Sequence, residues 1–316
     1  MAAGHARTPV LPVPNGDGFF VAITLFALLA GCADRSVRSP ARTAVEVIDD
    51  DGRSVRLDSA ARRIISLIPA RTDLILALGA ADRLLARTQF DNDPRLADLP
   101  VISEALAPSV EWLAQQSPDL VIAWPDRQSR SVVTRLEDLG IPVYTSRVET
   151  LAELHESVRD LGVLLNLPAR ADSITTVLDS SITATRAAVA DRARHSVIYL
   201  VGLDPPTAAG QGTFVHELIE IAGGRNVMAD VGALWPPVSV EEVLSRQPEV
   251  VIVSTTSRTR DNVLADLRER PGWRGLEAVR SGRVHVVDAN LFNRPGPSLV
   301  FAVGALAEAI HPELKR

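Results

Sequence analysis

Short apolar runs alternate along the chain with longer helical stretches. The first two runs, Val45–Ile48 and Ser54–Leu57, are separated by the acidic segment Asp49–Gly52. An Asp-Gly pair readily adopts the positive-φ backbone of a tight turn, so these residues are predicted to form a β-hairpin.

Strands followed by helices continue the pattern. Buried strands are predicted at Arg63–Leu67, Leu120–Ala123 and Val143–Thr145. A helix over Thr72–Leu78 follows the first of them and is closed by Gly79. Strands that alternate with helices form a parallel sheet covered on both faces. The predicted fold class is therefore α/β.

One strand-and-helix module occurs twice. Ser109–Leu113 continues into Gln116–Ile122, and Ser239–Val243 continues into Arg246–Ile252, with an offset of 130 residues and no gap. Each copy predicts a short helix capped by Ser, a Pro-containing turn and a buried strand. The repetition predicts two similar parallel-sheet lobes.

A long helical segment lies between the two halves. Thr150 and Glu153 form a capping-box pattern that opens a helix to about Leu165. Pro168 then occupies a first helical position, and the pattern continues to about Arg194. Such a helix would reach roughly 40 Å at 1.5 Å per residue. We expect this single stiff crossing to join lobes that move little relative to each other.

The amino-terminal segment has the features of an export signal. Phe19–Ala30 is an apolar run that is too short to span a bilayer but suits a signal peptide. It ends at Leu29–Cys32, which resembles the bacterial lipobox, in which the peptide is cut before a cysteine that then carries lipid. Cys32 is the only cysteine, so it cannot form an internal disulfide. The alternative is a cysteine buried in an ordinary core helix.

Export and lipid anchoring place the remaining chain outside the cytoplasm, in the periplasm or on the outer face of the cell membrane. Cytosolic nucleotides are then unsuited as cofactors, and a net charge of -6 argues against binding to nucleic acid. The predicted division is a signal peptide (1–31), a tether (32–44), an N-terminal lobe (45–149), linker helices (150–194) and a C-terminal lobe (195–316).

The two Ser-Val-Glu repeats and the runs Pro118–Trp124 and Trp235–Glu241 resemble a known family. It comprises the ABC-importer substrate-binding proteins whose lobes are joined by one long helix, which serve cobalamin, haem and ferric siderophores. The resemblance covers about residues 62–310. It is greatest to the cobalamin-binding branch, through Asp119–Trp124, Asp204–Pro206 and Trp235-Pro236. It implies a monomer that is not an enzyme and has no cofactor, and that delivers a corrinoid to the importer permease.

The resemblance also implies how the permease docks. In that family an acidic residue on each lobe contacts arginines of the permease, and the matching positions are Glu111 and Glu241, with Glu242 as the alternative on the second lobe. Two carboxylates held at a fixed separation suit a two-fold symmetric partner. The alternative is that each Glu only complements a helix dipole, an effect of about 0.3–1 kcal/mol.

The ligand cleft is expected between the lobes, outside the carboxyl ends of the parallel strands. The loops that leave these strands are Ala70–Asp73, Phe90–Asp93, Trp124–Arg127, Pro205–Gly212, Leu234–Pro237 and Leu291–Pro297. Trp124, Trp235, Phe90 and Phe292 fall on these loops although aromatic residues are only 4% of the chain. A flat macrocycle such as a corrin requires such walls. The alternative is that each ring packs beneath its loop.

Three arginines, Arg71, Arg127 and Arg294, also fall on the cleft loops. Guanidinium groups there suit an anionic ferric siderophore or the propionates of haem, which are the alternative ligands. A surface or structural role for each arginine is equally open.

Other chemistry has little support in the sequence. The histidines have no metal-ligand spacing, and His216 is interpreted as a polar residue of a helix over Thr213–Ala222. Tyr144 and Tyr199 lie on buried strands and are predicted to be core. Neither a Gly-x-Ser-x-Gly elbow nor a P-loop occurs. A lipid-anchored hydrolase and an orphan sensor lipoprotein of the same fold are the remaining classes.

Overall fold

The computed structural model describes residues 44–105, 107–127 and 129–314. The predicted signal peptide, Cys32 and residues 33–43 of the tether lie outside the described residues. The first two strands, β1 (Val45–Ile48) and β2 (Ser54–Leu57), pair antiparallel and confirm the predicted hairpin.

The first lobe contains a five-stranded parallel sheet. Its strands are β3 (Ile64–Ser66), β4 (Leu84–Thr88), β5 (Val101–Ile102), β6 (Leu120–Ala123) and β7 (Val143–Thr145), in the spatial order β5-β4-β3-β6-β7. Its helices are α1 (Pro69–Ala77), α2 (Val110–Gln115) and α3 (Ser129–Asp138). The structure confirms the three strands predicted in this half.

The linker consists of α4 (Leu151–Leu164) and α5 (Pro168–Val189). The capping box of Thr150 and Glu153 is present, as predicted. The two helices cross closely, because a Cβ on Gly162 would lie 2.6 Å from the Cβ of Ala171. Only glycine permits that approach.

Helix α5 ends at Val189, earlier than predicted, and its 22 residues reach roughly 33 Å. At its start, Arg170 Nη1 donates to the Leu78 carbonyl of the first lobe at 2.6 Å. Further along, Ser181 Oγ donates to the Val300 carbonyl at 2.6 Å. One helix therefore contacts both halves of the chain.

The second lobe repeats the architecture. Its strands are β8 (His195–Leu203), β9 (Pro206–Ala208), β10 (Gly224–Asn226), β11 (Val250–Thr255) and β12 (Val284–Asp288). The parallel order is β10-β8-β11-β12, and β9 pairs antiparallel with β8. Its helices are α6 (Phe214–Ile221), α7 (Val240–Arg246), α8 (Arg260–Glu269), α9 (Glu277–Arg280), α10 (Ala289–Phe292) and α11 (Leu299–Ile310). Single 3₁₀ turns cover Ala81–Arg83, Pro94–Leu96, Trp273–Gly275 and Pro312–Leu314.

One hydrophobic core is shared by both lobes. It contains Ile64 of the first sheet, Ile252 of the second and Leu178 of α5. The opposite face of each sheet has its own core, which includes Val121 in the first lobe and Val251 in the second. The fold is therefore α/β with two parallel-sheet lobes joined by one long helix. That the lobes move little stays a prediction.

Candidate functional site

Segments that leave the carboxyl ends of strands in the two lobes contact each other. We call this line of contact the interlobe seam. It is formed by Arg71, Phe90 and Glu149 of the first lobe and by Trp235, Arg294 and Pro295 of the second. In open parallel sheets, ligands bind outside the carboxyl ends of the strands, so the seam is the candidate cleft.

At one end of the seam, Trp235 is held by a carboxylate from the opposite lobe. Its indole Nε1 donates to Glu149 Oε2 at 3.2 Å. The ring also meets Phe214 edge-on, with ring centroids 6.3 Å apart. The amide of Leu151, at the start of linker helix α4, donates to Glu217 Oε2 of the second lobe at 2.7 Å. No local sequence pattern indicates these two glutamates, because each lies at least 66 residues from its partner.

At the other end, Arg71 is buried, with 2% of its surface exposed. Its Nη2 donates to the Pro295 carbonyl of the second lobe at 2.6 Å, and its Nη1 donates to Ser157 Oγ. Burial lowers the pKa of the guanidinium to about 10, so it stays charged at neutral pH. The prediction that Ala70–Asp73 forms a loop is wrong. These residues are in α1, which begins at Pro69 because proline suits a first helical position.

Arg294 forms a further contact between the two lobes. Its Nη2 donates to the Phe90 carbonyl at 2.6 Å, and its Nη1 lies 3.6 Å from Asp73 Oδ2. Burial raises the pKa of Asp73, and the charge of Arg294 opposes that shift. Phe90 is 53% exposed, so it is available for contact beside the seam.

A groove of about 490 Å³ opens between the lobes next to Arg294. Asp73 and Leu76 of α1 form one wall, and Leu291 and Phe301 form the other. Its volume lies within the range of about 300–1,000 Å³ that is typical of small-molecule sites. Three segments that were predicted for the cleft therefore contribute to one interlobe opening: Ala70–Asp73, which is helical, Phe90–Asp93 and Leu291–Pro297.

Trp124 is placed differently from Trp235. It follows β6 and is half-buried, and it lines a separate cavity of about 320 Å³ that also contains Asp126 and Arg130. Both indoles pack against the shared core. Arg127 is exposed, and its side chain has no hydrogen bond or ion pair with any described residue.

Phe292 is in the core. Only 5% of its surface is exposed, and its ring packs in the shared core, so its placement on a cleft wall is wrong for this structure. The physical reason is that Asp288 caps the short helix α10, and Phe292 is part of that helix, not of a loop. The predicted loop Pro205–Gly212 is also corrected, since it contains strand β9.

The two predicted docking glutamates are both exposed, each in the first turn of a helix capped by serine. Glu111 accepts from Ser109 Oγ and pairs with Arg135. Hydrogen bonds from its own amide and from Ser109, together with the arginine, lower its pKa. Glu241 has no partner among the described residues, whereas Glu242 pairs with Arg246 at 3.0 Å.

Both tyrosines are fully buried, as predicted, and their hydroxyl groups are satisfied. Tyr144 donates to Asp160 at 3.0 Å and Tyr199 donates to Asn293 at 2.7 Å. His216 lies on α6, and its Nδ1 is 3.3 Å from Asn226 Nδ2. The described residues contain no group of three or more histidine, cysteine or acidic side chains suited to a metal ion. None of their helices is long and apolar enough to cross a membrane.

Comparison with known proteins relates this fold to a family. The family described as periplasmic binding protein matches residues 64–291. The chain is 28% identical over 247 residues to the vitamin B12-binding protein of Vibrio parahaemolyticus, which covers 78% of this chain and 88% of that protein. It is also 28% identical over 312 residues to an uncharacterized ABC transporter substrate-binding lipoprotein of Bacillus subtilis, covering 94% and 97%.

Solved structures with other ligands in their names are similarly close. The ABC-type Fe3+-hydroxamate transport system protein of Saccharomonospora viridis gives a TM-score of 0.71 at 26% identity, covering 84% of this chain and 99% of that one. The periplasmic heme-binding protein RhuT of Roseiflexus gives 0.69 at 26%, covering 80% and 99%. The fold is thus shared among proteins that bind different solutes.

Proposed function

The chain belongs to the periplasmic binding protein family, the solute-binding proteins of ABC importers, and we propose that its cleft binds a corrinoid of the cobalamin type. The observation that carries this proposal is the half-buried indole of Trp235 at the interlobe seam, where it contacts Glu149 of the first lobe. A second half-buried indole, Trp124, lies on the segment that leaves β6 and lines the separate first-lobe cavity. Indole rings supply large, flat, apolar contact area, which suits a macrocycle. The relatives named for vitamin B12 also support it.

Tryptophan fluorescence tests this ligand directly. We expect cobalamin to quench the emission, and Trp124→Phe and Trp235→Phe each to weaken binding about three- to tenfold, the equivalent of one aromatic contact. Trp112→Phe is the matched control, because this tryptophan is also half-buried but lies on α2, away from the seam. Unchanged emission on adding cobalamin, with quenching by a ferric chelate, would contradict the corrinoid proposal.

The alternative ligand is haem or a ferric siderophore. Arg294 lines the interlobe groove, and a guanidinium there favours an anionic ligand. The structural relatives named for hydroxamate and heme support this alternative. Parallel titrations with haem and with a ferric hydroxamate, followed by their visible absorption bands, distinguish it from the corrinoid.

We propose that Glu111 and Glu241 are the contacts with the importer permease. Both are exposed and follow serine caps at equivalent positions of the two lobes. Alanine at both positions should abolish co-purification with the permease. A matched control is alanine at Glu137 and Glu277, which are exposed glutamates with arginine partners. If the variant with alanine at Glu111 and Glu241 still co-purifies with the permease, docking through this pair is excluded.

We propose that Cys32 carries a lipid that anchors the protein outside the cytoplasm. The Bacillus relative, which aligns with 94% of this chain, is named as a lipoprotein. Expression of Cys32→Ala in a bacterial host should move the protein from the membrane fraction to the soluble or precursor fraction. Equal membrane retention of the variant and the unchanged protein would argue against the anchor.

A further inference from the structure

A buried cation without a carboxylate partner lies at the interlobe seam. The Arg71 guanidinium donates only to the hydroxyl of Ser157 and to the carbonyl of Pro295, and among the described residues it forms no ion pair. Its Nε is buried and has no hydrogen-bond partner. Buried charges in proteins are normally paired, so this arrangement calls for an explanation.

The acidic groups that face Arg71 are engaged elsewhere. Asp50 accepts a hydrogen bond from the Arg147 amide, and Asp73 is paired with Arg294. Both influence Arg71 only through space. Helix α1 adds no compensation, since its first turn has no acidic residue and Ile68 provides no side-chain cap.

One edge of the guanidinium is therefore incompletely satisfied. Nε and Nη2 share the edge that binds a carboxylate or phosphate with two parallel hydrogen bonds. Here the Nε–H group of Arg71 has no acceptor, and Nη2 donates a hydrogen bond to the Pro295 carbonyl of the other lobe. Gly296 lies close against α1, because a Cβ there would be 3.5 Å from the Ala70 carbonyl oxygen.

We infer that Arg71 binds an anionic group of the transported ligand, with a carboxylate or phosphate in the position that the Pro295 carbonyl oxygen occupies here. This inference rests on the proposed solute-binding function and narrows its substrate to a ligand that carries an anion. A carbonyl oxygen satisfies one N–H with a partial charge, whereas a carboxylate or phosphate satisfies both with a full charge. The anion can replace the Pro295 carbonyl oxygen once the second-lobe segment that contains Pro295 withdraws from the seam.

Paired probes that differ in their anion test the inference. Cobalamin, which has a phosphate, is compared with cobinamide, which lacks it, and haem is compared with its dimethyl ester. We expect Arg71→Gln to weaken binding of the anionic probe about ten- to hundredfold, which is the range for a charge-assisted hydrogen bond. Binding of the neutral analogue should be unchanged. The pair that responds identifies phosphate or carboxylate.

Arg83→Gln is the matched control. Arg83, like Arg71, forms no ion pair with a described residue, but it donates to the carbonyls of Ala61 and Leu165, neither of which belongs to the second lobe. Thermal unfolding of each variant checks that it folds. If Arg71→Gln changes the anionic and neutral probes by the same factor, Arg71 is only a tie between the lobes and the inference is overturned.

A second measurement does not depend on the macrocycle. Side-chain ¹⁵N NMR of the unchanged protein, with the Arg71 signal assigned through Arg71→Lys, follows its Nε–H during titration with inorganic phosphate. We expect this signal to move with phosphate and not with chloride at equal ionic strength, while the Arg83 signal stays fixed. If no macrocycle binds but Nε responds, the corrinoid and haem proposals fail and the anion site stands. A fixed Arg71 signal overturns the anion site.

Discussion

The two copies of the repeated module keep the same buried positions. Leu113 in α2 and Val243 in α7 are both fully buried. Each helix begins after a serine whose hydroxyl accepts a hydrogen bond from a first-turn amide. Each helix is followed by a residue with a left-handed backbone, Ser117 with φ 49° and Gln247 with φ 41°. The repetition therefore extends to backbone conformation.

An acidic residue before the strand serves the same purpose in both copies. Asp119 accepts from the Arg62 and Arg63 amides at 2.8 and 2.9 Å, next to the start of β3. Glu249 accepts from the Ser196 amide at 2.7 Å and from the His195 ring at 3.0 Å, at the start of β8. Each carboxylate ties the strand that follows it to a neighbouring strand of the same sheet.

The copies differ at the surface. Glu111 is paired with Arg135, whereas its counterpart Glu241 has no partner among the described residues. Caps, core residues and turn conformations are the same in both copies because the backbone depends on them. Charge pairing at exposed positions contributes little to stability and is free to change.

The largest predicted difference between the copies is in the core. Leu113→Ala should lower the free energy of unfolding by about 2–5 kcal/mol, because it leaves a cavity at a fully buried site. Val243→Ala should cost less, roughly 1–2 kcal/mol, because it removes two methyl-sized groups. Urea unfolding of both variants measures the difference. Equal losses below about 1 kcal/mol would show that these positions are not core.

The serine caps should contribute equally. Ser109→Ala and Ser239→Ala are each expected to cost about 1 kcal/mol, because each removes the acceptor for a first-turn amide, at 3.2 and 3.1 Å. Asparagine at either position is the control, since its side chain also caps helices. A loss at only one site, measured by urea unfolding, would show that the copies are not equivalent.

The left-handed residues provide a smaller test of the same equivalence. Ser117→Gly and Gln247→Gly should each stabilise the protein by roughly 0.5 kcal/mol, because glycine adopts positive φ without the strain of a Cβ. Alanine at the same positions retains the Cβ and should give no gain. Thermal unfolding of the four variants compares them, and destabilisation by glycine would contradict the assigned backbone.

The smallest effect concerns acid stability in the second lobe. Hydrogen bonds from Ser196, followed by that from His195, lower the pKa of Glu249 to about 2 from 4.5. The carboxylate therefore stabilises the fold above about pH 4.5, and this contribution is lost as the pH falls toward 2. It is small because 49% of the side chain is exposed. The melting temperatures at pH 6 and pH 3 should differ less in Glu249→Gln than in the unchanged protein. The same difference in both proteins would contradict a stabilising role for this carboxylate.

Local signals identified most of the secondary structure. The Asp-Gly turn predicted the hairpin, the Thr150 and Glu153 pattern predicted the start of α4, and the strands β6 and β7 were located from short apolar runs. The start of α1 was missed because Pro69 is consistent with both a loop and a first helical position. Site residues were harder to predict, since a ring on a short segment can face either a cleft or the core, as Phe292 does.

Caps, turns and apolar periodicity act over a few residues, so the α/β class, the duplicated module and the long helix between its copies could be predicted from the amino-acid sequence. The groups that meet across the seam could be identified only from the folded chain. Arg71 and Pro295 are 224 residues apart, and Trp235 and Glu149 are 86 apart. Such partners are selected by how two lobes pack on one helix, and no local pattern encodes that.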